Sequence, residues 1–325
     1  MKLRVFHTGP GLLATIQDLG RQGALAHGVP FSGAMDAHSH ALANLLLGND
    51  PGAATLECSG GKLDAWVEEG GQVALAGAGG ALLVDGQRVP GGRILGIPEG
   101  ALIEIQPLPG GNFCYLATTG GWQVPAVFGS ASTYLAGGFG GYEGRSLQKN
   151  DVLHSALNQV APANTEISPW YLEDQNDVTP QLETPLEVGI LQGPEWSLWQ
   201  KEQQQLFLEK PVRISKSRSR QAVRLEALDF LEHQFSDMYS TGVSPGVIQI
   251  PPGDTPAILM SDAQTTGGFP RIAQVIAVDL PKIAQAKTGQ LLRFSIVDIA
   301  EASRRLLAYE RELQRMKVAV RLRAG

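Results

Sequence analysis

Turns constrain this chain more than any other feature. Glycine fills 39 of 325 positions, well above the usual share of about 7%, and 20 prolines are spread among them. Long uninterrupted helices cannot make up such a chain, because glycine and proline both weaken a helix interior. Short strands joined by tight turns can. Gln72–Gly77, Ala81–Val84, Arg93–Ile97, Ala101–Ile105 and Phe113–Ala117 are short β-type runs, most of them bounded by glycine or proline. Their spacing suits a sandwich or barrel. One helix interrupts them: Asp36 is placed to cap it, and Ala41, Leu42, Leu45 and Leu46 form a stripe that stops at Gly48.

The polar, proline-containing stretch 158–185 reads as the connection between two halves, giving domains at 1–175 and 176–325. A helix is expected from Trp196 to Glu209. Strands are expected at Gly246–Ile250, Ala257–Met260 and Gln274–Val278. The chain closes with a long helix capped near Asp298, with Ile299, Ala302, Leu306, Leu313 and Met316 on a 3.6-residue period. The fold class is mostly β, with a few helices outside it.

Several functions are excluded early. A formal charge of −6 argues against a nucleic-acid surface across the molecule. The N-terminus turns polar too soon for a signal peptide. Residues 106–141 contain no Asp, Glu, Lys or Arg, yet glycine and proline break them up far short of a membrane span. A cytoplasmic protein is expected, with Cys58 and Cys114 as buried, reduced thiols. His38 and His40 stand two apart on a helix and cannot share a metal, so they and the other histidines are assigned to the surface and no metal site is expected. No P-loop or dinucleotide fingerprint occurs. Lys317 follows Met316 in a helical tail, with too little chain around it for a biotin carrier, so no covalently bound cofactor is expected. Arg304, Arg305, Arg311, Arg315, Arg321 and Arg323 read as a solvated helix face, with partner docking as the lesser reading.

Three segments concentrate polar groups beside glycines. Thr15, Gln17, Asp18 and Arg21 open the first, which runs on to Asp36. Gly138, Gly140, Gly141, Glu143 and Arg145 form the second. Asp262, Gln264, Thr265, Thr266, Gly267, Gly268 and Arg271 form the third. Glycine lets backbone N–H groups approach a ligand, and arginine grips carboxylate or phosphate in two-pronged fashion. Taken singly, each is also ordinary turn and capping chemistry.

Taken in order the segments are more specific. Thr15–Arg21, Ser32–Asp36, Leu45–Asn49, Ser132–Tyr134, Gly137–Arg145, Gly193–Glu195 and Asp262–Arg271 together closely resemble the biotin-dependent carboxyltransferase-like family, also labelled allophanate hydrolase subunit 2-like. That family includes the C-type subunits of bacterial 5-oxoprolinases. The resemblance covers nearly the whole chain. It implies two cyclophilin-like β-barrel domains, companion A-like and B-like subunits, and ATP-dependent opening of 5-oxoproline to glutamate, with ATP and Mg used by the complex. Its alternatives are carboxyl transfer from carboxybiotin to a urea- or amide-like acceptor, and a non-catalytic regulatory role beside a B-like subunit. In the family's Ser-Asn-Arg-Met-Gly-Tyr-Arg-Leu-x-Gly stretch, Arg220, Arg224 and Leu225 fit. Ser219, Gln221, Ala222, Val223 and Ala227 depart, which takes an amide and a phenol from a strand expected to face the site.

On that resemblance Arg271 or Arg21 holds the substrate carboxylate, and Asp18 or Asp262 orients or deprotonates. Thr15, Gln17, Glu143, Arg145, Arg220, Gln264, Thr265 and Thr266 bind substrate together with Gly138, Gly140, Gly141, Gly267 and Gly268, with N–H donors at 138–141 and 267–268.

Overall fold

The computed structural model describes residues 1–172, 182–228, 238–251 and 255–324. They form two compact units. The first comprises 1–21, 32–179 and 311–325, and the second 22–31 and 180–310. The main break falls in the polar connection, but 22–31 groups with the second unit and the end of the C-terminal helix with the first.

The first unit carries two six-stranded antiparallel sheets. One runs, in spatial order, Val152–His154, Lys2–Thr8, Leu63–Glu69, Leu102–Pro107, Gly80–Val84 and Gln87–Arg88. The other runs Glu166–Ile167, Leu95–Ile97, Gly71–Ala76, Phe113–Thr118, Thr55–Ser59 and Leu13–Gln17. Alternation along the strands fills the core, with Leu3, Val5, Ala65, Val67, Ile103 and Ile105 from one sheet meeting Ile16, Leu56, Val73, Leu75 and Leu116 from the other. Each large aliphatic side chain among them contributes about 1.5–3 kcal/mol on full burial. Cys58 and Cys114 stand opposite one another on neighbouring strands, both buried and both free thiols. Their mutual hydrogen bond and burial push the Cys58 thiol well up, which keeps it protonated.

Helix α1, Ala37–Leu46, packs against the second sheet. Asp36 caps it as expected, accepting from the Ser39 N–H at 3.0 Å. His38 and His40 do not lie on the surface: both are buried, because α1 is buried along nearly its whole length and its partner sheet presents polar side chains to it.

The second unit is a closed seven-stranded barrel. Its order is Leu186–Gln192, Arg271–Val275, Val247–Gln249, Ala257–Leu259, Ala222–Leu225, Val212–Arg218 and Leu291–Ile296. The last strand returns parallel to the first. The helix expected over 196–209 is broken. A 3-10 turn covers Trp196–Leu198, and helix α2 runs Lys201–Glu209. The break seats Trp196, Trp199 and Phe207 together, with Phe207 stacked 4.8 Å from Phe294. The strand expected to reach Val278 ends at Val275. Asp279 accepts the Gly189 N–H at 2.7 Å, and Pro281 suits the first turn of the short helix α3, Leu280–Gln285.

Helix α4, Ile299–Ala324, starts where expected, its Glu301 N–H donating to Asp298 at 2.7 Å. Arg304, Arg305, Arg311, Arg315 and Arg321 are exposed. The expected apolar stripe is only partly covered: Ala302, Leu313 and Met316 are half-buried, while Ile299 is 74% exposed. Among the described residues no helix is long and apolar enough to cross a membrane.

Candidate functional site

The polar segments resolve into one loop cluster in each unit. In the first unit the organiser is Asp18. Its carboxylate accepts from the Ser130 hydroxyl at 2.7 Å, the Ser132 hydroxyl at 2.5 Å, and the N–H groups of Ala131 at 2.6 Å and Gly20 at 2.8 Å. Burial alone pulls this carboxyl up. The hydrogen bonds from Ser132, Ser130, Gly20 and Ala131 outweigh burial and hold it below its ordinary range. A carboxylate held so firmly is a loop anchor and a poor proton acceptor.

Arg21, 1% exposed, reaches the same segment. Its Nε donates to the Val127 carbonyl at 3.2 Å, its Nη2 donates to the Ser132 carbonyl, and its guanidinium lies 5.0 Å from the centre of the Phe139 ring. Gln17 donates to Thr15 Oγ1 at 2.9 Å and to the Thr133 carbonyl at 3.3 Å. Thr133 is in turn bonded to Ile16. Residues 130–133 thus join Thr15, Gln17, Asp18 and Arg21. Gly140 and Gly141, both at positive φ, come so close to Ser132 and Thr133 that no Cβ fits at either. Gly138, also at positive φ, has open space around it. Arg145 clamps Asp151 in two-pronged fashion at 2.6 and 2.9 Å and meets the exposed Glu143 at 2.7 Å.

Behind this cluster the second sheet carries a buried polar row. Glu57 stands between Thr15 and Tyr115 on neighbouring strands. It accepts from the Met35 N–H and from the Tyr115 hydroxyl, each at 2.8 Å. The Tyr115 oxygen accepts the Asp36 N–H at 2.7 Å. Burial, then the Glu57 charge, pushes the Tyr115 phenol well up, so it stays a donor. The Ser32–Asp36 segment is held by this row, which strand register alone reveals.

His40 belongs to the same layer, its Nδ1 2.8 Å from Thr55 Oγ1. Burial lowers its pKa from 6.5 to about 4. The unfolded chain therefore takes up a proton that the folded chain refuses until about pH 4. Stability present above pH 6.5 is lost as pH falls through that window, by up to about 3 kcal/mol. Urea melts at pH 7 and pH 4 should show this loss, and His40→Gln should reduce it; an unchanged pH dependence in the variant would remove His40 as its source.

In the second unit Arg220 and Asp262 form a buried ion pair, Nε to Oδ2 at 2.8 Å and Nη2 to Oδ1 at 3.1 Å, each side chain 5% exposed. The Asp262 N–H also donates to the Arg220 carbonyl at 2.8 Å. Residues 212–225 form a hairpin, so the departures from the family pattern do not lie on one site-facing strand. Ser219 and Gln221 are exposed in its turn, with Ser219 Oγ accepting the Gln221 N–H at 3.1 Å, and Val223 is in the core. Gln264 and Thr266 are exposed, Thr265 and Gly268 are half-buried, and Gly267 is buried. Thr266–Gly267 pairs with Thr241–Gly242 as a small ribbon. Arg271 lies beside it. Glu195 accepts from the Arg271 N–H at 2.8 Å, from Nε at 3.0 Å and from Nη2 at 2.9 Å, while Nη1 reaches the Gly242 carbonyl at 3.4 Å. Arg271 holds the Glu195 carboxyl below its ordinary range against the opposing effect of burial. Residue order alone gives Glu195 no role, because 76 positions separate it from Arg271. Among the described residues no group of three or more His, Cys, Asp or Glu is placed to hold a metal ion.

Polar loop clusters thus sit on both units, one on the paired sheets and one on the closed barrel. Residues 27–296 match the carboxyltransferase domain, subdomain A and B, and the chain belongs to that family. It is 35% identical over 292 residues to the C-type subunit of 5-oxoprolinase from Escherichia coli (strain K12), covering 90% of this chain and 91% of that one. It is 31% identical to urea amidolyase of Saccharomyces cerevisiae over 88% of this chain but only 16% of that protein. The crystal structure of the Kluyveromyces lactis urea amidolyase superposes with a TM-score of 0.83 at 25% identity, covering 97% of this chain and 20% of that chain.

Proposed function

We propose that this chain is the C-type subunit of a 5-oxoprolinase, opening 5-oxoproline to glutamate together with A-like and B-like subunits in an ATP-dependent reaction. The observation that carries this reading is the match across nine-tenths of both this chain and its Escherichia coli relative. The lactam resists water because its amide is resonance-stabilised. Transfer of the ATP γ-phosphoryl group to the lactam oxygen makes the ring carbon electrophilic. One water then adds to that carbon, the C–N bond breaks with the proton going to the leaving amine to give an acyl phosphate of glutamate, and a second water hydrolyses it to glutamate and phosphate. ATP with Mg is a co-substrate of the complex, and no residue of this chain is assigned to its phosphates.

Arg271 is the cation assigned to the substrate carboxylate, since its side chain is 21% exposed while its Glu195 partner keeps the guanidinium oriented. Exposed Gln264 and Thr266 beside it offer further donors. Asp18, Arg21, Arg220 and Asp262 are assigned to holding the loops, because each is already engaged within its own unit.

The test is glutamate formation from 5-oxoproline and ATP by the purified companion subunits with and without this chain. Dependence on the chain, and a drop of at least about 100-fold in kcat/KM for Arg271→Ala in complexes shown to remain folded and assembled, are expected. No glutamate from an assembled complex would overturn the reading. The likeness to urea amidolyase favours one second reading, carboxyl transfer from carboxybiotin to a urea- or amide-like acceptor, which is then assayed directly.

A further inference from the structure

The Gly193–Glu195 turn lies directly on the strand that begins at Arg271. The Gly193 N–H donates to the Ile272 carbonyl at 2.8 Å, and the Glu195 N–H to the Arg271 carbonyl at 3.3 Å. No Cβ fits at Gly193, because the Arg271 carbonyl occupies that space. Glycine permits the close approach, and the approach brings Glu195 beside the arginine side chain. Glu195 is buried, and the hydrogen bond from Arg271 holds its carboxyl below the ordinary range against burial. It is therefore charged at neutral pH.

A guanidinium has five N–H donors. In Arg271, Nε and Nη2 each give one to Glu195, at 3.0 and 2.9 Å, and Nη1 gives one to the Gly242 carbonyl at 3.4 Å. Two remain, one on each Nη. Glu195 spans the Nε–Nη2 edge, so the planar group keeps its Nη1–Nη2 end for another acceptor. An acid bound at that end meets one positive and one negative charge. Arginine and glutamate sum to zero, and attraction then comes from the paired hydrogen bonds more than from net charge. A planar monoanion suits this arrangement. A phosphoryl or phosphonate group can use the same two donors, but it brings a second negative charge toward Glu195. The repulsion grows in proportion to that charge.

We propose that Glu195 is a positioning and specificity-determining residue: it fixes Arg271 so that the open Nη1–Nη2 end takes a singly charged carboxylate, and its own charge keeps phosphate-bearing anions off that end. The identity of the acid, 5-oxoproline, rests on the oxoprolinase reading. That reading also gives the selection a purpose, since an unguarded arginine in a complex that consumes ATP would be a binding place for phosphates. Selection of this kind is a charge set against the wrong ligand, not a contact added for the right one.

The experiment measures dissociation constants on the complex assembled with the A-like and B-like subunits, by calorimetry and without ATP. The ligands are 5-oxoproline and the same ring carrying a phosphonate in place of the carboxylate, at a pH where the phosphonate is doubly charged. Wild type should bind the carboxylate at least about 10-fold more tightly. Glu195→Gln is close in shape but uncharged, and should cut that preference to about threefold or less. Glu195→Asp keeps the charge and should retain most of the preference. An unchanged preference in Glu195→Gln, whatever its melting temperature, would make Glu195 a purely structural partner of Arg271 and overturn the proposal. Loss of the preference in Glu195→Asp as well would make orientation its cause and overturn the exclusion by charge. A wild type that binds both acids equally, or neither, would overturn it too, as would an Arg271→Ala complex that keeps the preference. Glutamate formation is assayed on the same complexes. A wild type that shows the preference but forms no glutamate would overturn the oxoprolinase reading and leave the selection by Glu195 standing.

Discussion

Asp262→Ala should lower the unfolding free energy by about 3–5 kcal/mol, the largest single-residue loss expected in the barrel unit. The substitution leaves the Arg220 guanidinium buried, 5% exposed, without the carboxylate that meets it at two points. The cost is the desolvation of that remaining charge more than the lost attraction. Asp262→Asn keeps an acceptor in place and should lose less. Replacing both partners by leucine should recover much of the stability, because it removes the buried charge along with its partner. Chemical denaturation of the four proteins measures each step. The result also separates two roles for Asp262: a general base with little structural duty would show lost turnover at an unchanged midpoint.

Gly140→Ala should be nearly as damaging, at about 3–5 kcal/mol from two additive effects. At φ 74 any Cβ is strained, and here it would lie inside van der Waals contact of the Ser132 carbonyl and the Arg21 guanidinium. Neither can retreat easily, since the Ser132 carbonyl accepts from Arg21 and Asp18 holds the Ser132 hydroxyl. Gly138 is the internal control. It has a similar φ of 65 but nothing within 4 Å of an added Cβ, so Gly138→Ala should cost only about 1–2 kcal/mol. Melting temperatures of the two variants decide the matter. Equal losses would show that backbone strain, and not the packing of this loop on Arg21, sets the cost.

Both effects describe polar residues that work first on their own fold. Asp18, Arg21, Arg220 and Asp262 carry the chemistry of catalytic groups, and in this fold that chemistry holds loops in shape. Arg271 differs because its side chain remains partly open while Glu195 fixes its direction. Under the proposed function, substrate binding is therefore assigned to Arg271 and the ribbon beside it.

Local features were legible in the order of residues. Strands between glycine and proline turns, the α1 cap at Asp36 and the α4 cap at Asp298 each depend on residues within a few positions of one another. The mostly β class follows from the same signals, and so does the ordered set of polar segments that marks the family. Partners were not legible. Asp18 meets Ser130 and Ser132 across 112 and 114 residues, Arg220 meets Asp262 across 42, and Arg271 meets Glu195 across 76. The burial of His38 and His40, the break before α2 and the end of the strand at Val275 were hidden for the same reason. Residue type is a local property, whereas strand register and barrel closure decide which side chains face each other. Folding in three dimensions is what turned three promising segments into two loop frameworks and one partly exposed arginine.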